Sequence, residues 1–232
     1  MPTPTVSEFA TSLGTPFNNQ SLLKQAFTHR SYLNEHKKLS VGHNERLEFL
    51  GDAVLELAVT EFLYSKFPED TEGDLTSYRA ALVNANTLSD IAADLHMEKY
   101  LLLSKGEAKD KGRARQYILA NTFEAFVGAV FLDQGYESAR GFISRTVFPL
   151  TDKVVSDKLW LDAKSHFQEK AQEIEGTTPS YQVTKEEGPD HDKHFTVAVY
   201  IGRDLIAKGD GKSKQEAEQS AARAGLKARA WL

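Results

Sequence analysis

The chain has 232 residues, 41% hydrophobic and 26% charged, the balance of an ordinary globular protein with room for one large domain or two smaller ones. It contains no cysteine, which excludes a disulfide framework, thiolate catalysis and a thiolate metal site. A net charge of −5 argues mildly against nucleic acid as a partner, so any such surface has to be a local basic patch.

Met1 to Ala10 lack a basic start followed by an apolar run, and no apolar run approaches the length of a membrane span. The simplest reading is a cytoplasmic protein with no membrane partner. Val6 to Leu13 reads as a short helix ended by Gly14. Asn19 or Ser21 caps the next, through Leu22, Leu23, Ala26 and Phe27. Thr28-His29-Arg30-Ser31-Tyr32 then leads into a polar stretch. His29 reads as a hydrogen-bonded structural histidine, since no second histidine stands at metal spacing.

Asn44-Glu45-Arg46-Leu47-Glu48-Phe49-Leu50-Gly51-Asp52 opens a helix that runs to about Lys66, where Phe67-Pro68 stops it. At about 100° per residue, Glu45, Glu48 and Asp52 fall within roughly 60° of one another on one face. Leu47, Leu50, Val54, Leu57 and Ala58 take the opposite side. A column of acids that close is costly unless cations or solvent neutralise it, and hard cations such as Mg²⁺ prefer oxygen ligands. A solvated helix face is the plainer explanation. Phe49 beside Glu48, and Gly51 in mid-helix, weigh instead for a surface built to meet something.

Glu69-Asp70-Thr71-Glu72-Gly73-Asp74 reads as an N-cap with acids that suit the dipole of the following helix. Helices follow through Leu82 and from Thr87 to Leu95, and Gly106 to Arg115 reads as a polar loop. Its Lys109, Lys111, Arg113 and Arg115 serve equally as phosphate contacts or as a solvated loop. Tyr117 to Ala129 is a mostly apolar helix, hence buried, yet Asn121 and Glu124 share one face of it. A carboxylate in a buried helix needs a compensating partner. The first acidic helix supplies further acids, so a shared metal is the coherent answer. Gly128 and Ala129 permit close packing.

A helix from about Tyr136 to Val155 closes an all-helical domain, 1–156, with a linker at about 153–161. In the second domain, 157–232, Asp162 caps a helix to about Glu175 that Gly176-Thr177-Thr178-Pro179 ends. Tyr181 and Val183 alternate as a strand does. Phe195, Val197, Val199 and Ile201 form one face of a second strand, with Thr196, Ala198 and Tyr200 on the other. Leu205 to Lys208 is a third strand, and Ser213-Lys214-Gln215-Glu216 is a capping box that starts the last helix. Ala217, Ala221, Ala224 and Ala228 give that helix a small-residue stripe. The fold class is therefore all-α followed by a small α+β domain of order α-β-β-β-α. From Leu159 onward there are 11 Lys plus Arg against 12 Asp plus Glu, a net of −1.

Two stretches carry a resemblance. Asn44 to Asp52 resembles the signature of the ribonuclease III family, the double-stranded-RNA endonucleases. Pro179-Ser180-Tyr181, the loop Gly188-Pro189-Asp190-His191, and Gly209 to Ala222 resemble the landmarks of the double-stranded-RNA-binding domain. Their order is that of the bacterial enzymes. The resemblance implies a Mg²⁺-dependent homodimer, with Mn²⁺ a possible substitute. Such an enzyme cuts each strand of duplex RNA once, leaving 5′-phosphates, 3′-hydroxyls and short 3′ overhangs, with roles in rRNA, mRNA and structured-RNA processing. It implies Glu48, Asp52, Asn121 and Glu124 as metal ligands, Asp52 and Glu124 as essential for catalysis, and Glu45 and Glu72 as supporting acids. Phe49 matches a residue that packs across the dimer interface. Gln168, Glu169 and His191 match positions that reach minor-groove 2′-hydroxyls, and Lys212, Ser213 and Lys214 stand at a helix N-terminus suited to a phosphate.

Two positions depart from the pattern. Gln215 stands where relatives often carry lysine, and Asn121 where they often carry aspartate. The loss of charge at Asn121 favours an alternative, a non-cleaving double-stranded-RNA-binding protein with the acidic helices kept as a dimer scaffold. A di-iron bundle is disfavoured, because neither Glu45 nor Glu124 has a histidine three residues on.

Overall fold

The computed structural model describes residues 5–109, 112–156, 162–189 and 193–231, with the side chain of Arg113 set aside. Expectations for Lys111, Asp190, His191 and the linker at 157–161 lie outside the described residues. The chain divides into two compact units, Met1–Trp160 and Leu161–Leu232.

In the first unit α1 is Val6–Ser12, α2 Gln20–Ala26, α3 Arg30–Glu35, α4 Glu45–Lys66 and α5 Glu72–Val83. They are followed by α6 Ala85–Asp94, α7 Arg113–Gln134, α8 Tyr136–Thr146 and α9 Thr151–Ser156. Asn19 is the residue that caps α2, its side chain accepting from the Ser21 and Leu22 N–H groups. Thr71 caps α5 in a reciprocal box with Asp74.

The stretch after His29, to which the sequence assigns no element, is helical, because His29 Nδ1 accepts the Ser31 N–H and so starts α3. Two expectations further along the chain need correction. The loop from Gly106 gives way to α7 at Arg113, which puts Arg115 on a helix. The single helix expected from Tyr136 to Val155 is three pieces, α8, a 3₁₀ turn at Phe148–Leu150 and α9. Pro149 sits in that turn, where its missing N–H and its ring interrupt a continuous α-helix.

The core forms around the crossing of α4 and α7, the most extensive helix pair of this unit. Phe27, Phe123, Phe126, Phe142, Leu55 and Leu63 are fully buried around it. The buried side of α4 is Leu47, Gly51, Val54, Leu55, Ala58, Val59 and Leu63. Leu57, expected on that side, is 57% exposed, and Leu50 is half-buried, because the stripe follows 47-51-55-59-63 rather than 50-57. Gly51 likewise does not face outward. A methyl group there would overlap the Glu124 carbonyl oxygen and lie 2.8 Å from the Gly128 nitrogen. A methyl on Gly128 would overlap the Leu47 carbonyl oxygen. The two glycines bring the helix backbones into direct contact, which is what Gly at a mid-helix position permits.

In the second unit α10 is Ala163–Glu175, β1 Ser180–Glu187, β2 His194–Ile201, β3 Asp204–Gly211 and α11 Lys214–Ala228. The strands form one antiparallel sheet of order β1-β2-β3. Phe195, Val197, Val199 and Ile201 pack with Phe167, Ala171, Ala217, Ala221, Ala222 and Leu226. Ala198, assigned by alternation to the open face, is also buried, flanked by Gln182 and Lys208 on the neighbouring strands. β3 runs on past Lys208 through Gly209 and Gly211. Any side chain at either glycine would strike the α11 backbone at Ala221 or Ala217. The small-residue stripe of α11 is accordingly Ala217, Ala221, Ala222 and Gly225, while Ala224 is half-buried and Ala228 exposed.

Candidate active site

Asn44 precedes the acidic column, and it is a residue whose weight the sequence does not reveal. It has the chemistry of an N-cap, yet its side chain makes no capping bond. Instead it is 2% exposed, with its N–H on the Thr28 carbonyl at 2.9 Å and Nδ2 on the Ala26 carbonyl at 3.3 Å. The first turn of α4 is thereby tied to the end of α2. Glu45 follows, exposed, with Arg30 Nη1 3.2 Å from Oε1 and His43 Nδ1 3.6 Å from Oε2. Arg30, fifteen residues back, is not apparent from spacing along the chain.

The Gly51–Gly128 contact sets the acids of α4 against Asn121 and Glu124 of α7. Burial pushes the Glu48 carboxyl up from its ordinary value, the charges of Glu45 and Asp52 add to the rise, and a hydrogen bond from the Asn121 side chain opposes it. Glu124 is pushed up to about 8, first by burial and then by the charges of Asp52 and Glu48. Glu48, Asp52, Asn121 and Glu124 therefore form one electrostatically coupled group, with Glu45 acting on it through Glu48. Glu72 opens α5 on an exposed position where a carboxylate suits the helix N-terminus. Among the described interactions none joins it to the α4 acids.

Among the described residues no three His, Asp or Glu side chains are drawn into a complete metal-holding group. The chemistry of the donor set nevertheless suits one. Three carboxylates and an amide carbonyl offer only oxygen, as a hard divalent cation prefers. Glu124 is a largely buried carboxylate beside two like charges, and among the described residues no salt bridge reaches it. A buried charge in that position requires a positive partner or a proton.

Phe49 stands next to this group on α4 and is 82% exposed, in line with Leu57 and with Tyr64, 74% exposed. In the second unit, Gln168 and Glu169 lie on the open side of α10, where with Ser165, Gln172 and Glu173 they line a shallow concavity. Ser213 caps α11, its Oγ accepting the Glu216 N–H at 3.1 Å. The expected reciprocal half of the box is displaced, because the Glu216 carboxylate accepts from the Lys212 N–H, at 2.9 Å, rather than from the cap residue. The backbone donors of this turn are thus partly used by its own side chains. The exposed ammonium groups of Lys212 and Lys214 remain for an anion, and Lys214 Nζ lies 5.8 Å from the Phe195 ring centroid. No helix among the described residues is long and apolar enough to cross a membrane.

Comparison with known proteins agrees with this division. The Ribonuclease-III-like family matches residues 19–150, and the Double-stranded RNA binding motif matches residues 163–228. Ribonuclease 3 of Bdellovibrio bacteriovorus is 47% identical, covering 92% of each chain. Ribonuclease 3 of Enterococcus faecalis is 47% identical over 95% of this chain and 96% of its own. A solved nuclease domain of ribonuclease III from Campylobacter jejuni, described as flexible in the region involved in dimer formation, superposes with a TM-score of 0.57 at 39% identity. It covers 62% of this chain and 97% of its own. With both family patterns in place and near-full-length relatives at this identity, the chain belongs to the ribonuclease III family.

Proposed function

We propose that the chain is an endonuclease that hydrolyses phosphodiester bonds in double-stranded RNA, with Mg²⁺ as the divalent ion. The observation that carries this reading is the coupled group Glu48, Asp52, Asn121 and Glu124 at the α4–α7 crossing. The three carboxylates and the Asn121 carbonyl would hold the ion, with Asp52 and Glu124 indispensable. When bound, the ion supplies a Lewis acid that acidifies water and steadies a departing oxygen. Glu124, partly buried beside the charges of Asp52 and Glu48, would be one of the oxygen ligands and is the acid that gains most from a positive charge placed there. The Asn121 amide keeps Glu48 oriented, and Glu45 and Glu72 add negative potential at the margin.

The second unit supports the choice of substrate. The open side of α10, with Gln168 and Glu169, suits the shallow minor groove of A-form RNA, and Lys212 and Lys214 suit the phosphates that flank it. Ser213 orients that turn. Selectivity would come from duplex shape and 2′-hydroxyls rather than from bases. Phe49, unusually exposed beside the acids, would be covered by a second copy, so that two sites face one duplex and each cuts one strand. An RNA substrate also goes with a cytoplasmic place of action.

The test is a pair of conservative variants. Asp52→Asn and Glu124→Gln are expected to retain double-stranded RNA in a mobility-shift assay and to lose Mg²⁺-dependent scission by about a hundred- to a thousand-fold, the scale of losing electrostatic stabilisation at a reacting centre. Full scission by either variant would refute the assignment. Bound but uncut RNA with the unaltered chain would favour the non-cleaving binding protein, the reading for which Asn121 speaks.

A further inference from the structure

The N-terminal end of the acidic column is met by a cation from a different part of the chain, Arg30, and by the neighbouring His43 ring. Each oxygen of Glu45 faces a nitrogen, Arg30 Nη1 at 3.2 Å and His43 Nδ1 at 3.6 Å. The Arg30 and Glu45 side chains are 69% and 44% exposed, and an ion pair that wet adds little to stability. The backbone that presents Arg30 is nonetheless firmly held. The His29 N–H donates to the Leu102 carbonyl at 3.1 Å, and the Ser104 N–H donates to Ser31 Oγ at 3.1 Å. The Lys105 N–H donates to both Glu35 oxygens at 3.3 Å. At the root of the same excursion, Gln25 Nε2 donates to the His43 carbonyl at 3.0 Å, and Asn44 bonds back to Ala26 and Thr28. A well-anchored segment thus delivers one arginine to one glutamate.

We infer that Arg30 is an electrostatic positioning residue: by pairing with Glu45 it withdraws one negative charge from the acidic column and so sets how strongly the group at the α4–α7 crossing attracts a divalent cation. The inference rests on the metal reading proposed above. Glu45 is, after burial, the largest influence on Glu48, so its neutralisation is felt directly at a proposed ligand. The groups that face Glu45 are Arg30, His43, His29 and Glu48. Arg30 acts through Glu45, and none of its described contacts is with Glu48, Asp52, Asn121 or Glu124.

This role has a sign that a structural role lacks. Loss of a structural pair leaves cation binding unchanged or weaker. Loss of Arg30 removes the one positive charge that offsets Glu45, so binding tightens. The test uses the full chain without RNA, at fixed pH and low ionic strength. Mn²⁺ is titrated, free Mn²⁺ is read by electron paramagnetic resonance, and Mg²⁺ is added as competitor. Arg30→Gln is expected to bind about three-fold tighter, the effect of one unit charge acting on a divalent cation at on the order of 10 Å through solvent. Arg30→Lys is expected to stay at the original affinity. The gain is expected to vanish near about 0.5 M salt, where the Debye length falls to about 4 Å. Glu45→Gln supplies an independent arm. It should weaken Mn²⁺ binding by about three-fold in either background, since the two charges act on the site additively and with opposite sign. Melting curves are recorded for every variant. Unchanged or weaker binding by a folded Arg30→Gln, or binding left unweakened by Glu45→Gln, would overturn the inference. Failure of the unaltered chain to bind either ion would overturn the metal reading itself and the inference with it, an outcome visible before any variant is made.

Discussion

Gly51→Ala is a perturbation in which two physical effects have opposite signs. Alanine is the better helix former, so propensity alone predicts that the variant gains about 1 kcal/mol. Packing predicts the reverse. The new methyl would stand 2.7 Å from the Glu124 carbonyl carbon and 2.8 Å from the Gly128 nitrogen, against 3.4 Å at the inner edge of ordinary contact. These neighbours and the overlapped Glu124 carbonyl oxygen are all backbone, so relief requires α4 and α7 to part by more than about 1 Å along much of the most extensive helix contact of the unit. Overpacking of this kind costs about 1–3 kcal/mol, and here it belongs at or above the upper end. We expect a net loss of about 2–3 kcal/mol and, in a unit of this size, a fall of roughly 4–12 °C in the melting temperature. Differential scanning calorimetry of the full chain measures it. The same displacement pulls Asp52 away from Glu124, so Mg²⁺-dependent scission should fall at temperatures where the variant is still folded. An unchanged or raised melting temperature would refute the claim that the two glycines hold the helices in contact.

Other expectations follow from the same geometry. Because the Glu124 carboxyl is raised to about 8 from an ordinary 4.5, the folded chain binds the extra proton between those values. Stability of the metal-free protein should therefore be greatest below about pH 4.5 for this group and decline as pH rises to about 8, by up to about 1.4 kcal/mol per pH unit. Melting curves in chelator between pH 5 and 8 should show this decline shallower in Glu124→Gln, and parallel curves would contradict the assigned environment. Asn121→Asp restores a carboxylate to the coupled group, and the Mg²⁺ concentration for half-maximal scission should fall several-fold; no change would mean that position 121 does not sense the ion. Phe49→Asp should convert a dimer to monomer in sedimentation, since burial of each ring contributes about 2–3 kcal/mol and a two-fold interface loses two of them. A dimer that survives the change would place the interface elsewhere.

Much of this architecture is legible along the chain, and its gaps have physical causes. The span of α4 is readable because Phe67-Pro68 stops it, and that of α10 because Asp162 and Gly176 mark both ends. α3 escapes notice because its start depends on a histidine cap, outside the usual Ser, Thr, Asp and Asn. Periodicity pairs the acids on α4, and the carboxylate in an apolar helix points to a partner. What periodicity does not convey is why the two helices meet so closely. Gly51 looks like a feature of the outer surface until its contact with Gly128 is seen. Arg30 is invisible as a partner of Glu45, since the excursion of chain between residues 30 and 45 is brought back by bonds made at Asn44 and Gln25. The capping box at Ser213 is read correctly in its first half, while the Glu216 carboxylate reaches one residue further, to Lys212.

The central claim is metal-dependent scission of double-stranded RNA, and one gel tests it most directly. Labelled duplex RNA is incubated with the purified chain in Mg²⁺ or in chelator, beside single-stranded RNA and duplex DNA. We expect short duplex products only in Mg²⁺ and only from double-stranded RNA. A duplex that is retarded and left uncut in Mg²⁺ and in Mn²⁺ would contradict the claim and leave a protein that binds double-stranded RNA without cleaving it.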